Sequence, residues 1–525
     1  MLLPARVEDY VTADNPVRAI EAYVCGLDVV ALGFRHADRG VGAGQPPYHP
    51  ADLLKLYLYG YLHRVRSSRG LAWETQRNLE VIWLLKGLAP GYRTIGDFRR
   101  DNWAAFKAAN REFVVLLRSL ALVGGELVAI DGALFDGAAS KASIATGKKL
   151  AEQMAALERD IEGYGASLEA NDAADEAAAA VQGEPSETGG TMAERLAALL
   201  ARRAQAQAEL DQLAASGETQ LSRTDADARL LSKRGQTVAG YNVQIAVDAR
   251  HKLIVASEVV NDGNDTGQLH AMAMAAKQAM EVETLTAVAD TGYYNGETLK
   301  ACEADGITAY VPPARHGDRL AAQDRYSHEA FRYDAAANVY LCPSGTLLRP
   351  MDGHKVDASG KRQIRYVSRR SACRACPLRQ HCLTPKASQR TIYRWEHEDV
   401  IERHRARMAQ ADAALMMRRR AELAEHPFGT LKCRAGYRHF LVRGFDKVRG
   451  EWSLMALCYN LTRVLSIIGL HGFIACLARY RTNCAILLRY AATAAWGRVT
   501  VFIARFAGPM VLRRLLQTQM LQSAH

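Results

Sequence analysis

The stretch 241-YNVQIAVDARHKLIVASEVV-260 reads as two strands joined by a tight turn. Tyr241–Asp248 and Lys252–Val260 are rich in β-branched residues, and Ala249, Arg250 and His251 form the turn of a hairpin. Two apolar runs of buried-strand type stand on either side: ELVAID (Glu126–Asp131) upstream and TLTAVAD (Thr284–Asp290) downstream. Helices are expected from about Thr266 to Met280 and near Asn295–Ala304. A last strand, ITAYVPP (Ile307–Pro313), is stopped by its prolines. Strands and helices in this order imply a mixed sheet covered by helices, an α/β core.

Between the first strand and the hairpin lies a long helical insertion, about residues 145–220. Met154, Leu157, Ile161, Tyr164 and Leu168 recur at helical spacing, and Met192, Leu196, Leu199, Leu210 and Leu213 form a second series interrupted by Arg203. The Gly-, Glu- and Ala-rich stretch NDAADEAAAAVQGEPSETGGT joins them, so an antiparallel helical hairpin is predicted. Residues 1–120 read as a helical domain, from apolar spacing in AIEAYVCGLDVVAL and ADLLKLYLYGYLHRV, with Pro50 at the start of the second segment. Arg64, Arg66 and Arg69 follow. They suit either a helix-turn-helix-like DNA reader or a bundle with a solvated basic face.

The 525 residues are 49% apolar and carry a formal charge of +11. Residues 151–220 sum to about −10 and residues 391–525 to about +12, so the basic excess is concentrated in the tail. That distribution suits a polyanion partner. No secretory signal opens the chain, and Val464–Ala478 is too short to span a bilayer, so a core helix, a cytoplasmic location and no membrane partner are expected. There is no GxxxxGK[ST] phosphate loop, so no nucleotide cofactor is expected.

Asp131 and Asp290 each close a strand run, where sites of open α/β sheets gather. Two neighbouring carboxylates call for a cation between them, and hard oxygen donors point to Mg²⁺ or Mn²⁺. Either acid alone reads more readily as a turn or capping residue. Residues from about His397 to Arg420 read as helix. Arg418, Glu425 and Lys432, seven apart, share a face if that helix runs on past Pro427.

The stretches VAIDGALFDGAASK, VADTGYYN, RAELAEHPFGTLKCRAGYRHF and the N-terminal YHPADLLKLYLYGYLHRVRSSRG together resemble DDE transposases of bacterial insertion sequences, over roughly residues 10–468. The resemblance implies an RNase H-like catalytic domain, 121–468, behind the helical domain 1–120; residues 469–525 fall outside it, and their apolar run with scattered arginines reads as a C-terminal helical extension. It also implies that Asp131, Asp290 and Glu425 are the metal-binding catalytic acids. The family's glutamate signature has a tyrosine and an arginine before it and a lysine after it. Lys432 fits the lysine. Ala421 stands where strict spacing puts the arginine, Arg420 is the nearest candidate, and no clear tyrosine precedes it. Glu422 is a rival acid. Arg418, Arg420 and Lys432 are the expected phosphate contacts, and double-stranded DNA, as transposon ends and target, is the expected partner of a homodimer. A non-catalytic DNA-binding descendant and a simple metal-dependent nuclease are the alternatives.

Cys342 in YLCPSG and Cys373, Cys376 and Cys382 in CRACPLRQHC make a possible tetrahedral Zn²⁺ shell, with His381 as an alternative ligand, in a cysteine-rich insertion of about 325–390. Unliganded thiols are the other reading. Cys25, Cys302, Cys433, Cys458, Cys476 and Cys484 show no ligand spacing and are expected in cores.

Overall fold

The computed structural model describes residues 6–38, 46–179, 189–233, 235–313, 324–357 and 360–506, with backbone alone for 168, 171–179, 189–193 and 483–506. The side chains of Leu168, Met192 and Cys484, part of the hairpin connection (180–188) and the end of the tail (507–525) lie outside the described residues. The chain divides into two compact units: Met1–Val123 with Thr430–Tyr437 and Phe445–His525, and Gly124–Gly429 with Arg438–Gly444. This is not the division 1–120, 121–468, 469–525 expected above: the segments 430–437 and 445–468 belong with the N-terminal helices.

The first unit is helical, with α1 (Val17–Val24), α2 (Pro50–Leu62), α3 (Ser68–Arg77), α4 (Leu79–Leu84), α5 (Tyr92–Asp101) and α6 (Trp103–Ser119). Local chemistry sets the starts. The His49 ring accepts from the Ala51 amide ahead of Pro50, Ser67 accepts from the Gly70 amide, and Asn78 caps α4. Its core is aromatic: Phe106 stands 5.7–6.0 Å from the rings of Phe34, Tyr57, Phe98 and Trp103. The long helix Phe445–Phe506 buries Trp452, Met455, Leu457 and Leu461 in this unit and breaks at Gly469, where φ is 69°. A segment of it, Phe445–Thr482, is long and apolar enough by composition to cross a membrane. Phe473 and Leu477, within the run read as a core helix, are buried, but much of that run is not.

The second unit is built on β1 (Leu127–Asp136), which pairs antiparallel with a long hairpin strand (Gln236–Asp248) and parallel with Leu285–Val288. Two short strands intervene in the chain, β2 (Ile144–Thr146) and β3 (Gln220–Ser222), which pair at the base of the helical hairpin α7 (Gly147–Ala179) and α8 (Gly189–Ser216). Leu150, Ala206 and Leu213 are buried between them, as the apolar spacing requires. Next come β4 (Arg229–Lys233), β5 (Gln236–Asp248), β6 (Ile254–Val260), α9 (Gln268–Met280), β7 (Leu285–Val288), α10 (Gly296–Ala304) and β8 (Ile307–Tyr310). The order is β4-β5-β1-β7-β8, with β6 also on β5: residues 236–240 of β5 pair with β4 and 242–247 with β6. Strand β4 was not foreseen. Asp131 lies inside β1 rather than at a strand end, because the alternation in GALFD carries the ladder with β5 to Asp136.

The cysteine-rich insertion holds its own antiparallel sheet. Strands β9 (Arg332–Asp334), β10 (Val339–Leu341), β11 (Leu347–Val356), β12 (Arg362–Val367) and β13 (Thr391–Trp395) close over Phe331, Tyr340, Leu348, Tyr366 and Ile392. The short helices α11 (Arg370–Arg374) and α12 (Arg379–Cys382) carry Cys373 and Cys382, and Cys376 lies between them. Beyond it, the helix expected from His397 to Arg420 is two: α13 (Glu398–Met408) and α14 (Ala411–Gly429), separated at Ala409–Gln410. Pro427 does not stop α14, which runs to Gly429 before a single π turn at Thr430–Arg434.

Candidate active site

Side chains alternate along a strand, so Leu127, Ala129 and Asp131 share one face of β1. Leu127 and Ala129 pack with Val288 of β7 against Leu423 and Ala424 of α14. That packing seats α14 over the face on which Asp131 stands. Arg420, one turn before Ala424, then reaches the acids. Its Nη2 lies 2.9 Å from Asp131 Oδ1 and 3.5 Å from Asp290 Oδ2. Asp290 follows β7 and accepts the Gly292 amide at 2.9 Å, while Asp131 accepts the Gly132 amide at 2.9 Å. All three side chains are mostly buried, 14–19% exposed.

Burial pushes the Asp131 carboxyl above its ordinary value, and the neighbouring Asp290 charge adds to this. Arg420 and Lys233 pull it back without cancelling the rise. Arg420 is held by charge and not by geometry: its Nε and Nη2 are buried without a hydrogen-bond partner. Two buried hard-oxygen donors facing one poorly seated cation are a setting that a divalent ion fits.

Beneath the pair lies an acid that sequence reasoning passed over. Asp265 is 4% exposed and accepts from Lys233 Nζ at 2.7 Å, Asn242 Nδ2 at 2.8 Å and Gln244 Nε2 at 2.7 Å. Burial alone would raise this carboxyl, but those bonds hold it below its ordinary value. Gln244 in turn accepts from the buried Tyr293 hydroxyl. The signal was present in the polar run NDGNDTG, but it resembles an ordinary turn until its burial is known.

Other expected residues fall elsewhere. Glu425 and Glu422 are both exposed on α14, and Glu425 sits roughly 140° round an ideal helix from Arg420. Among the described residues, no three His, Cys, Asp or Glu side chains are grouped closely enough to hold a metal. The structure therefore unites Asp131, Asp290 and Arg420 but does not add Glu425. Arg418 is exposed on α14, and Lys432 lies in the π turn, so the common helical face does not persist. Arg64 and Arg69 are exposed, whereas Arg66 turns inward, 3.5 Å from the buried Glu451 and stacked on Tyr437 at 4.9 Å. Its guanidinium is set against a core carboxylate rather than held out to solvent.

Cys342, Cys373, Cys376 and Cys382 line one cavity of about 20 Å³, room for a body the size of a water molecule. Burial raises the Cys382 thiol, and charge on the other three would raise it further. The turn after Cys342 aims the Thr346 amide at its sulfur, 3.2 Å away, and Ser344 adds bonds that outweigh burial and lower that thiol. His381 instead pairs with Asp324 at 2.8 Å. Of the cysteines expected in cores, Cys302 and Cys458 are buried. Cys25 and Cys433 are exposed and Cys476 is half-buried, since apolar composition does not fix which helix face meets the interior.

Two comparisons with known families bear on this geometry. Residues 5–101 match a family described as Transposase domain (DUF772), and residues 341–465 match one described as Transposase DDE domain. Both matches are to transposase families, and together they support reading the chain as a DDE transposase. The matched DDE segment contains Glu425, Lys432 and the four clustered cysteines, while Asp131 and Asp290 lie outside both matches. No curated protein and no solved structure matches the chain.

Proposed function

We propose that this transposase cleaves the ends of its own element and transfers the freed strands to target DNA, by metal-dependent chemistry on an RNase H-like sheet. The observation that carries the reading is the pair Asp131 and Asp290, buried together and sharing one imperfectly bonded cation, in a chain that matches the DDE transposase domain. The strand order β6-β5-β1-β7-β8, with an antiparallel hairpin on one side of β1 and parallel strands on the other, supports the fold assignment.

Asp131 and Asp290 would hold Mg²⁺ or Mn²⁺ where the Arg420 guanidinium now stands, with Glu425 as third carboxylate on the strength of its EHPFGTLK context. When bound, the ion supplies activation of a water or 3′-hydroxyl and stabilisation of the leaving oxygen. The chain's own residues keep the carboxylates together in a pocket with little water, which strengthens every charge interaction there. Arg420 would then be a cation available to the phosphodiester, and Arg418, Lys432, Arg64 and Arg69 are proposed DNA contacts. Both element ends must be held at once, so a homodimer on double-stranded DNA is proposed, acting in the cytoplasm.

A structural Zn²⁺ is proposed for Cys342, Cys373, Cys376 and Cys382. They line one small cavity, and amide-to-sulfur bonding at Cys342 favours a thiolate, although the four thiols do not stand as a closed metal shell in this structure.

The test is cleavage of a plasmid carrying the gene's own flanking DNA, in Mg²⁺ or Mn²⁺. Nicks at the element ends that vanish in Asp131→Asn, Asp290→Asn and Glu425→Gln establish the assignment. Specific binding without cleavage by wild type makes the chain a non-catalytic descendant, and cleavage without strand transfer makes it a nuclease. Cleavage that survives Glu425→Gln and fails in Glu422→Gln moves the third acid to Glu422.

A further inference from the structure

Lys233 is the last residue of β4, and its ammonium crosses to the strand that carries Asp131. It donates to the Gly132 carbonyl at 2.8 Å and to Asp265 Oδ2 at 2.7 Å. Asp265 is fixed in its turn: Asn242 and Gln244 fill its other oxygen. An ammonium has three N–H donors. Two are engaged here, and the third has no partner among the described residues, while a quarter of the side chain stays exposed. The bonded carbonyl belongs to the residue next to Asp131, and the ammonium is near enough for its charge to hold the Asp131 carboxyl down. A lysine held this way has already lost its rotamer freedom, which lowers the cost of meeting an anion there.

We propose that Lys233 contacts the phosphodiester at the cleavage site, with Asp265 as the residue that positions it. The proposal rests on the transposase reading above. A DNA phosphate entering beside Asp131 and Asp290 would meet this ammonium. The bland alternative is a tie that only pins β4 to β1. A tie needs neither partial exposure nor a spare donor next to the reactive acids.

The experiment compares wild type, Lys233→Arg, Lys233→Met and the double variant Lys233→Met/Asp265→Asn. The double variant removes both charges together, so it folds without an unpaired buried carboxylate. Binding to a duplex of the gene's own flanking DNA is measured against salt with no divalent metal present, and cleavage is then measured in Mg²⁺. Lys233→Met and the double variant should lower the slope of log affinity against log salt by about 1, the signature of one lost phosphate contact. Both should cut on the order of a hundredfold more slowly, as for one lost preorganised donor. Lys233→Arg should keep the wild-type slope. A double variant that melts, binds and cuts like wild type overturns the proposal, as does slowed cleavage with an unchanged salt slope. Wild type that cuts end DNA preserves the transposase reading whatever the lysine variants do. Wild type that neither binds nor cuts overturns that reading and the lysine's role with it.

Discussion

Arg420→Met tests whether the guanidinium stands in for a metal ion. The substitution keeps the side chain's length and removes the only cation within ion-pair distance of both Asp131 and Asp290 among the described residues. At an effective dielectric near 20, a contact of about 4 Å is worth roughly 4 kcal/mol before desolvation is subtracted. Breaking a buried pair typically costs about 3–5 kcal/mol. Here the three groups keep 14–19% exposure, and Asp131, already raised by burial, can take up a proton. Both reduce the loss, so about 2 kcal/mol is expected, or roughly 4 °C in Tm for a unit of this size. Thermal unfolding in EDTA should show this drop. Mg²⁺ should raise the variant's Tm more than that of wild type, because the ion meets no competing guanidinium. A variant that melts within about 1 °C of wild type in EDTA, with no larger response to Mg²⁺, would refute the idea that one cation holds the pair together.

The raised Asp131 carboxyl gives a pH dependence with a definite sign. Folding favours its protonated form, so its contribution to stability is intact below the unfolded value, near pH 4, and is lost as pH rises through the folded value. In EDTA, Asp131→Asn should therefore gain Tm over wild type as pH rises from about 4 to 7; a constant or shrinking gap contradicts the assignment. Purified protein should carry about one Zn²⁺ per chain by elemental analysis, lost in Cys342→Ser; metal-free wild type with four titratable thiols, or a disulfide, removes the zinc reading. Phe106→Ala should cost about 3–5 kcal/mol in denaturant unfolding, since four aromatic neighbours surround this buried ring; a cost under about 1 kcal/mol would mean that the cluster repacks.

Much of the core was legible because its signals are local. The hairpin at 241–260, the buried strands near Asp131 and Asp290 and the helices between them rest on side-chain periodicity and turn residues, which short stretches encode completely. Strand β4 escaped because RLLSK is short and half-exposed and gains strand character only from β5 beside it. The division of the chain escaped for a similar reason. EHPFGTLKCRAGYRHF reads as one motif, yet its segment Thr430–Tyr437 belongs with the N-terminal helices and Arg438–Phe440 with the sheet, where the Phe440 amide bonds Asp136.

The sequence by itself pointed to the two aspartates, the family and the cysteine spacing, because residue type and local pattern carry them. Tertiary structure decided which cations meet those acids. Arg420 rather than Arg418 reaches them, because Leu423 and Ala424 fix the rotation of α14 on β1 and β7. Arg66 meets a core glutamate and Lys233 bonds Asp265, through contacts between residues far apart in the chain. Charges 30 to 400 residues apart interact only once packing has removed the water between them, and no spacing rule along a chain encodes that desolvation.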